Sequence, residues 1–336
     1  FPEAHLALAV GRSAVDVVAR CPHLDELLIY DRRGKNRGLR GRWAFLRRLR
    51  AGRFDLSVDF QNSRTTHVLA WLAGIPVRAG YRRKLGWLLN RGVRLPRVVL
   101  APIAHQHYLL TQAGWAPDGD RLELWPSALE DRRARELLER SGWTPERQLV
   151  GLHPGGSGRW KTKRWDLARW ARVGDALAQR GVQVVVTGGP EERELGEALA
   201  RLMTHPPMLA AGETTLLGLA CLMTRCDAFL AHDSSSLHVA AAVGTPTVAL
   251  FGPTDSRRHL PPSFSGTVIS KDVWCSPCYA PRCRTITHAC MARIGVDEVL
   301  SAVLALLADA ESSSPVEPVQ PVDPFTGPTG QRAQPA

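Results

Sequence analysis

Two segments concentrate residue types that can hold a phosphate-like anion. The first runs His153-Pro154-Gly155-Gly156-Ser157-Gly158-Arg159-Trp160-Lys161-Thr162-Lys163-Arg164-Trp165. The apolar stretch before it, Leu149 to His153, reads as a strand, and Trp165 to Gln179 has helical periodicity. A glycine-rich turn from strand to helix lets backbone N–H groups approach a ligand. Ser157 can donate a hydrogen bond, Lys161 and Lys163 bring charge, and a helix N-terminus favours an anion. The Gly-Lys-Ser/Thr order of a Walker A loop is absent. A merely flexible glycine loop is the competing reading. The second segment, Ala231-His232-Asp233-Ser234-Ser235-Ser236-Leu237-His238, also leaves a strand and opens a helix. Asp233 stands at the strand end, where α/β sheets place ligand-binding groups, and the serines can meet further phosphate oxygens. Helix capping alone would also explain Asp and Ser there, and His238 could be a structural histidine. Two weaker turns share this form: Thr187-Gly188-Gly189-Pro190-Glu191-Glu192, with Glu191 or Glu192 toward a cleft, and Ala211-Gly212-Glu213-Thr214-Thr215-Leu216, of a kind that borders a flat base.

The elements that must position these residues alternate. Strands are predicted at Leu6–Val10, Leu27–Tyr30, Phe54–Phe60, Leu149–His153, Val182–Thr187, Ala228–Ala231 and Thr247–Phe251. Helices are predicted at Trp43–Leu49, Ser63–Leu72, His105–Ala113, Leu129–Arg140, Trp165–Gln179, Glu191–Met203, Leu216–Thr224 and His238–Val243. Such alternation implies parallel sheets covered by helices. The chain of 336 residues is long enough for two α/β domains. The polar stretch 126–147 reads as a connector between a domain over 1–125 and another over 148–310. The Ser-, Pro- and Gln-rich stretch 311–336 reads as a disordered tail.

Hydrophobic residues at 44% and charged residues at 22% fit a soluble globular protein. No apolar run approaches the roughly 20 residues that span a bilayer, and no signal peptide is apparent, so a cytoplasmic location is expected. The net charge is +11, with much of the excess between Arg32 and Arg53 and more at Arg82, Arg83 and Lys84. That excess suits either a solvated surface or an anionic partner. No recognition motif for nucleic acid accompanies it. Cys275, Cys278, Cys283 and Cys290 have a spacing open to a four-thiolate zinc site or to a reduced surface loop around Pro277 and Pro281. The sequence opens at Phe1 and runs at once into an apolar strand, which suggests an opening inside a domain.

The order of the four turns resembles glycosyltransferase family 9, the ADP-heptose:lipopolysaccharide heptosyltransferases. The resemblance runs from Leu149 through Leu307. It rests on the His-Pro-Gly-Gly loop with Lys163-Arg164-Trp165, the Gly-Gly-Pro-Glu-Glu turn, Gly212-x-Thr214-Thr215-Leu216, Asp233-Ser234, His238-Val239-Ala240-Ala241-Ala242, and Gly244-Thr245-Pro246 through Phe251-Gly252-Pro253-Thr254. In the first half, Asn62-Ser63, Gly80-Tyr81-Arg82 and Leu88-Leu89-Asn90 resemble the heptosyltransferase II branch, as does Cys275-Ser276-Pro277-Cys278.

The resemblance implies a GT-B fold, α/β with two Rossmann-like domains facing a cleft, the donor on the C-terminal one and the acceptor on the N-terminal one. It implies inverting transfer of heptose from ADP-heptose to a lipid A–Kdo-type acceptor of the lipopolysaccharide inner core. It further implies no cofactor or essential metal, and peripheral contact with the cytoplasmic face of the inner membrane. By the same resemblance Lys163 and Asp233 are catalytic: Lys163 neutralises the diphosphate leaving group and Asp233 holds heptose hydroxyls. Gly155, Gly156, Ser157, Ser234, Ser235, Ser236 and His238 belong to the donor site. So do Gly188, Gly189 and Glu191 near ribose or base, and Gly212, Thr214, Thr215 and Leu216 beside adenine. Asn62, Ser63, Arg64, Arg82 and Arg83 would meet the acceptor. A surface cysteine loop rather than zinc is implied. The family commonly has Gly where this chain has Ser235. The family's general base is an Asp in the loop after its first strand, and the expectation is that this strand, loop and helix lie before Phe1. The alternatives are another nucleotide sugar, or an ADP-sugar-binding module that does not transfer.

Overall fold

Strands in a parallel sheet covered on both faces must be apolar on both sides, and the second half of the chain supplies such runs. The computed structural model describes residues 3–312, with the side chains of 311 and 312 outside that description, and divides between Asp120 and Arg121 into two units. The second unit carries a six-stranded, wholly parallel sheet. Its strands are β6 (Leu149–His153), β7 (Gln183–Val186), β8 (Met208–Leu209), β9 (Ala228–His232), β10 (Thr247–Phe251) and β11 (Gly266–Ser270), in the spatial order β11-β10-β9-β6-β7-β8. The order reverses between β6 and β9, which pair Val150 with Ala228 through His153 with Ala231. This is the doubly wound arrangement whose ligands bind at the carboxyl ends of the two strands at the reversal.

Alternation along the strands splits the core of this unit in two. Val150, Leu152, Val184, Val186, Leu230 and Leu250 face one cluster, completed by Trp170, Leu177 and the C-terminal helix. Leu149, Val185, Phe229 and Ala231 face the other, completed by Leu219, Ala220 and Leu222. In the first unit, β1 (Ala7–Val10) pairs in parallel with β2 (Glu26–Ile29), and a separate parallel sheet orders β3 (Leu56–Asp59), β4 (Val77–Tyr81) and β5 (Arg91–Val93).

The long helices are α1 (Gly38–Ala51), α2 (Arg64–Leu72), α3 (Pro102–Gln112), α4 (Ala128–Arg140), α5 (Leu167–Ala178), α6 (Arg193–Leu202), α7 (Leu216–Met223), α8 (Ser235–Val243) and α9 (Val296–Ser312). The expected connector over 126–147 is not a free linker. Its helix α4 begins with a capping box between Ser127 and Glu130 and buries Leu137 and Leu138 in the core of the second unit. Arg225 fixes it further through an ion pair with Asp131 at 2.9 Å. The apolar stripe of α4 demands a partner, which a polar average over the segment conceals. The expected tail begins two residues inside α9; the rest of 311–336 lies outside the described residues. No described helix is long and apolar enough to cross a membrane.

Candidate functional site

The site is built where β6 and β9 end. After His153 the chain makes the glycine turn, a short tight helix over Gly158–Lys163, and then α5, capped by Asp166 on the Arg169 N–H. After His232 it passes through Asp233 and Ser234 into α8. The parallel register sets these two exits side by side. Lys163 Nζ lies 2.6 Å from Asp233 Oδ2 and 3.2 Å from the Asp233 carbonyl oxygen. Asp233 is only 5% exposed, so its charge demands such partners. It receives a further hydrogen bond from the Thr254 hydroxyl at 2.7 Å, and His259 Nδ1 stands 3.8 Å from its other oxygen. Lys163 also lies 5.4 Å from the centre of the Trp160 ring. His238 is half-buried nearby; burial holds its imidazole below the usual histidine range, and the Asp233 carboxylate pulls the other way.

Two buried histidines shape the glycine turn from below. His232 Nε2 accepts the Trp165 N–H at 2.8 Å, and its Nδ1–H donates to the Gly155 carbonyl at 3.2 Å. These partners require the neutral ring, and burial lowers its pKa to about 3. His153 Nδ1 lies 3.0 Å from the Thr187 hydroxyl, and burial lowers its pKa against the opposing pull of Glu192. Arg164 donates to the Gly156 carbonyl at 3.2 Å.

The carboxylate that enters this site is Glu192. It accepts the Gly156 N–H through a short hydrogen bond and the Gly189 N–H at 2.8 Å, and it lies 3.6 Å from His153 Nε2. Glu191, expected near the ribose, is exposed one residue earlier. The short helical turn over Pro190–Glu192 sends Glu192, not Glu191, back between the glycines. A Cβ at position 155 would meet the Glu192 carboxyl oxygen at 2.3 Å, so the carboxylate holds this place only beside a glycine. Gly156 has a φ of +143°, which L side chains rarely adopt. The Gly156 amide is therefore occupied by Glu192, where the sequence suggested it faced a phosphate.

Other expected donor residues fall around this centre. Ser157 precedes the Gly158–Lys163 turn without capping it through its side chain. Ser234 and Ser236 join their hydroxyls at 2.7 Å, and Ser234 does not cap its own helix, so the capping reading is not what these serines satisfy. Ser235 is exposed. Gly212 donates its N–H to the Gly188 carbonyl at 2.9 Å, which ties the turns after β7 and β8 together. Thr215 caps α7 by accepting the Gly218 N–H, Leu216 is exposed, and Thr214 is half-buried. The sequence reading did not single out Thr254, His259 or His232 as site groups, and it left Glu191 and Glu192 open toward a cleft before the family resemblance favoured Glu191. For Thr254 a signal existed, since it follows an apolar strand that pairs with β9.

In the first unit, the expected acceptor residues gather at the carboxyl ends of neighbouring strands β3 and β4. Asn62 has a left-handed φ of 49°, and its N–H donates to Asp59 at 2.9 Å. Ser63 forms a capping box with Thr66 at the start of α2, whose first residue is Arg64. Arg82 and Arg83 are exposed after β4, and the neighbouring Lys84 donates to the Asn62 carbonyl at 2.9 Å. The four clustered cysteines are free thiols around a segment anchored on the Gly158–Lys163 turn by the Thr162 hydroxyl to Ala280 O, at 2.8 Å. Among the described residues, no three His, Cys, Asp or Glu side chains are grouped to hold a metal ion.

Residues 42–287 match the family model of Glycosyltransferase family 9 (heptosyltransferase). The chain belongs to that family. It is 30% identical over 231 residues to the lipopolysaccharide heptosyltransferase 2 of Escherichia coli K12, and the match spans 66% of each chain, just under two thirds of that relative's length. Among solved structures it superposes on a family 9 glycosyltransferase from Veillonella parvula with a TM-score of 0.81, at 24% identity, covering 92% of this chain and 90% of that one. It superposes on the E. coli ADP-heptose lipopolysaccharide heptosyltransferase II with a TM-score of 0.69, also at 24% identity, covering 93% and 92%. The fold of this family 9 member is GT-B, α/β with two Rossmann-like units.

Proposed function

We propose that the protein is an inverting glycosyltransferase that moves heptose from ADP-heptose to a lipid A–Kdo-type acceptor of the lipopolysaccharide inner core. Family membership and the heptosyltransferase relatives support the sugar and the acceptor class. The observation that carries the reading is the Lys163–Asp233 pair at the sheet reversal, beside a glycine turn that encloses a carboxylate. The charges divide the donor. Glu192 repels phosphate but accepts hydrogen bonds well, which suits the ribose hydroxyls. Lys163, with the Ser234 and Ser236 hydroxyls, suits the diphosphate. An ammonium has three donors, so Lys163 can keep Asp233 while meeting a phosphate oxygen. Asp233 thereby positions the charge that stabilises the departing ADP, and its second carboxyl oxygen remains for a sugar hydroxyl. The exposed Leu216, beside Thr214 and Gly212, supplies an apolar edge for adenine. This chemistry asks for no cofactor or metal from the protein. The acceptor would be met by Asn62, Ser63, Arg64, Arg82 and Arg83, with the protein peripheral on the cytoplasmic face of the inner membrane.

The test is calorimetry with ADP and UDP, followed by a transfer assay with ADP-heptose and a Kdo-bearing lipid A acceptor read by mass spectrometry. Preferential ADP binding and a product heavier by one heptose are expected. Binding without transfer would make the chain a donor-binding module, and tighter UDP binding would overturn the assigned nucleotide.

A further inference from the structure

We propose that the groove between α1 and α2 of the first unit seats this protein on an anionic phospholipid bilayer, with Leu39 and Trp43 entering the headgroup–acyl boundary. The inference rests on the reading above that the acceptor is carried by a lipid, and it names the surface that meets that lipid's membrane. Leu39, Arg42, Trp43 and Leu46 follow the spacing of one helical face, and they line a groove of about 480 Å³ with residues of α2 that run from Arg64 to Leu72. Leu46 is buried at its floor, but Leu39 is 83% exposed and Trp43 53% exposed. Large apolar side chains held at the open edge of an apolar groove mark an interaction surface. Tryptophan suits the interfacial layer because its ring is apolar and its N–H is polar.

Charge selects the occupant. Every charged residue from Arg32 to Arg53 is basic. Some of these arginines have internal work: Arg48 pairs with Glu26 at 3.0 Å, and Arg50 donates to the Leu72 carbonyl at 2.9 Å. Arg42 and Arg64, on the rim of the groove, make no ion pair among the described residues. A second copy on this face would set arginine against arginine across a two-fold axis. An anionic bilayer offers charge complementarity and an apolar layer for Leu39 and Trp43 together. Arg64 also begins α2 directly after Asn62 and Ser63, so the groove opens at the residues assigned to the acceptor.

The test is co-sedimentation of the full chain with vesicles of phosphatidylcholine alone and with added phosphatidylglycerol, without donor or acceptor. Retention on the anionic vesicles only is expected. Arg42→Ala should weaken partitioning about fivefold, and Leu39→Asp about tenfold or more. Leu39 is a surface position, so its variant should keep the native circular dichroism spectrum and bind ADP as the parent does. Equal retention on both vesicle types, or Leu39→Asp sedimenting like the parent, would overturn the proposal. So would a concentration-dependent dimer that Leu39→Asp dissociates without any vesicle retention. Vesicle binding that persists in a chain unable to bind ADP would refute the proposed transferase reading and leave this surface standing.

Discussion

Removing Lys163 separates two jobs that its geometry combines. Its Nζ is 2.6 Å from Asp233 Oδ2, with Asp233 nearly buried and the lysine side chain 20% exposed. Deleting one partner of a buried pair costs about 3–5 kcal/mol. Here the Thr254 hydroxyl remains on the same oxygen and solvent reaches the lysine end, so Lys163→Ala should cost about 2 kcal/mol. For a unit of this size that is a fall of roughly 4–8 °C in Tm. The catalytic job is larger. If the ammonium stabilises charge on the departing diphosphate, its loss removes about 3–4 kcal/mol from the transition state, or roughly 10²–10³ in kcat. ADP release under saturating acceptor measures kcat, and differential scanning calorimetry measures Tm. Asp233→Asn should retain the lysine charge but lose its anchor, lowering kcat by about tenfold, with a smaller loss in ADP affinity. A Lys163→Ala enzyme with the expected fall in Tm but kcat within about threefold of the parent would refute the reasoning. The pair would then be a structural clamp between β6 and β9.

Glu192→Gln should loosen the glycine turn, because a neutral amide replaces the carboxylate that accepts from Gly156 and Gly189; a stability loss of about 1–3 kcal/mol in urea titrations is expected, with weaker ADP binding. Gly155→Ala drives a methyl group into that carboxylate, so calorimetry should show at least a roughly tenfold loss of ADP affinity with the sheet intact by circular dichroism. Acidification should destabilise the second unit through His232. Its folded pKa is depressed to about 3 against about 6.5 unfolded, so the stability it confers is full above about 6.5 and declines as pH falls toward 3. Denaturant midpoints between pH 7 and 4 should fall less steeply in His232→Gln, and an unchanged slope would refute the assignment.

The sequence by itself determined the local half of this protein. Leu149–His153 and Thr247–Phe251 are strands over the expected residues, because short apolar runs bounded by turn residues suit a sheet covered on both faces. The glycine turn and the Asp233–Ser234 exit were legible as paired strand-to-helix junctions, since glycines and serines there answer to backbone chemistry. Two strands escaped for different reasons: β8, at a sheet edge, is two residues long, and β4, central in its sheet, carries Arg78 and Gly80, so neither shows a periodic signal. Only the tertiary structure decided which residues meet. Lys163 and Asp233 are 70 positions apart, and their contact exists because β6 and β9 are neighbours at the reversal of strand order. The choice of Glu192 over Glu191 depended on the sense of one helical turn, which adjacent identical residues cannot signal. The role of α4 likewise depended on a partner, α7, some eighty residues further along the chain. Types and spacings are local quantities, while a site is a set of distances that register and crossover connections impose.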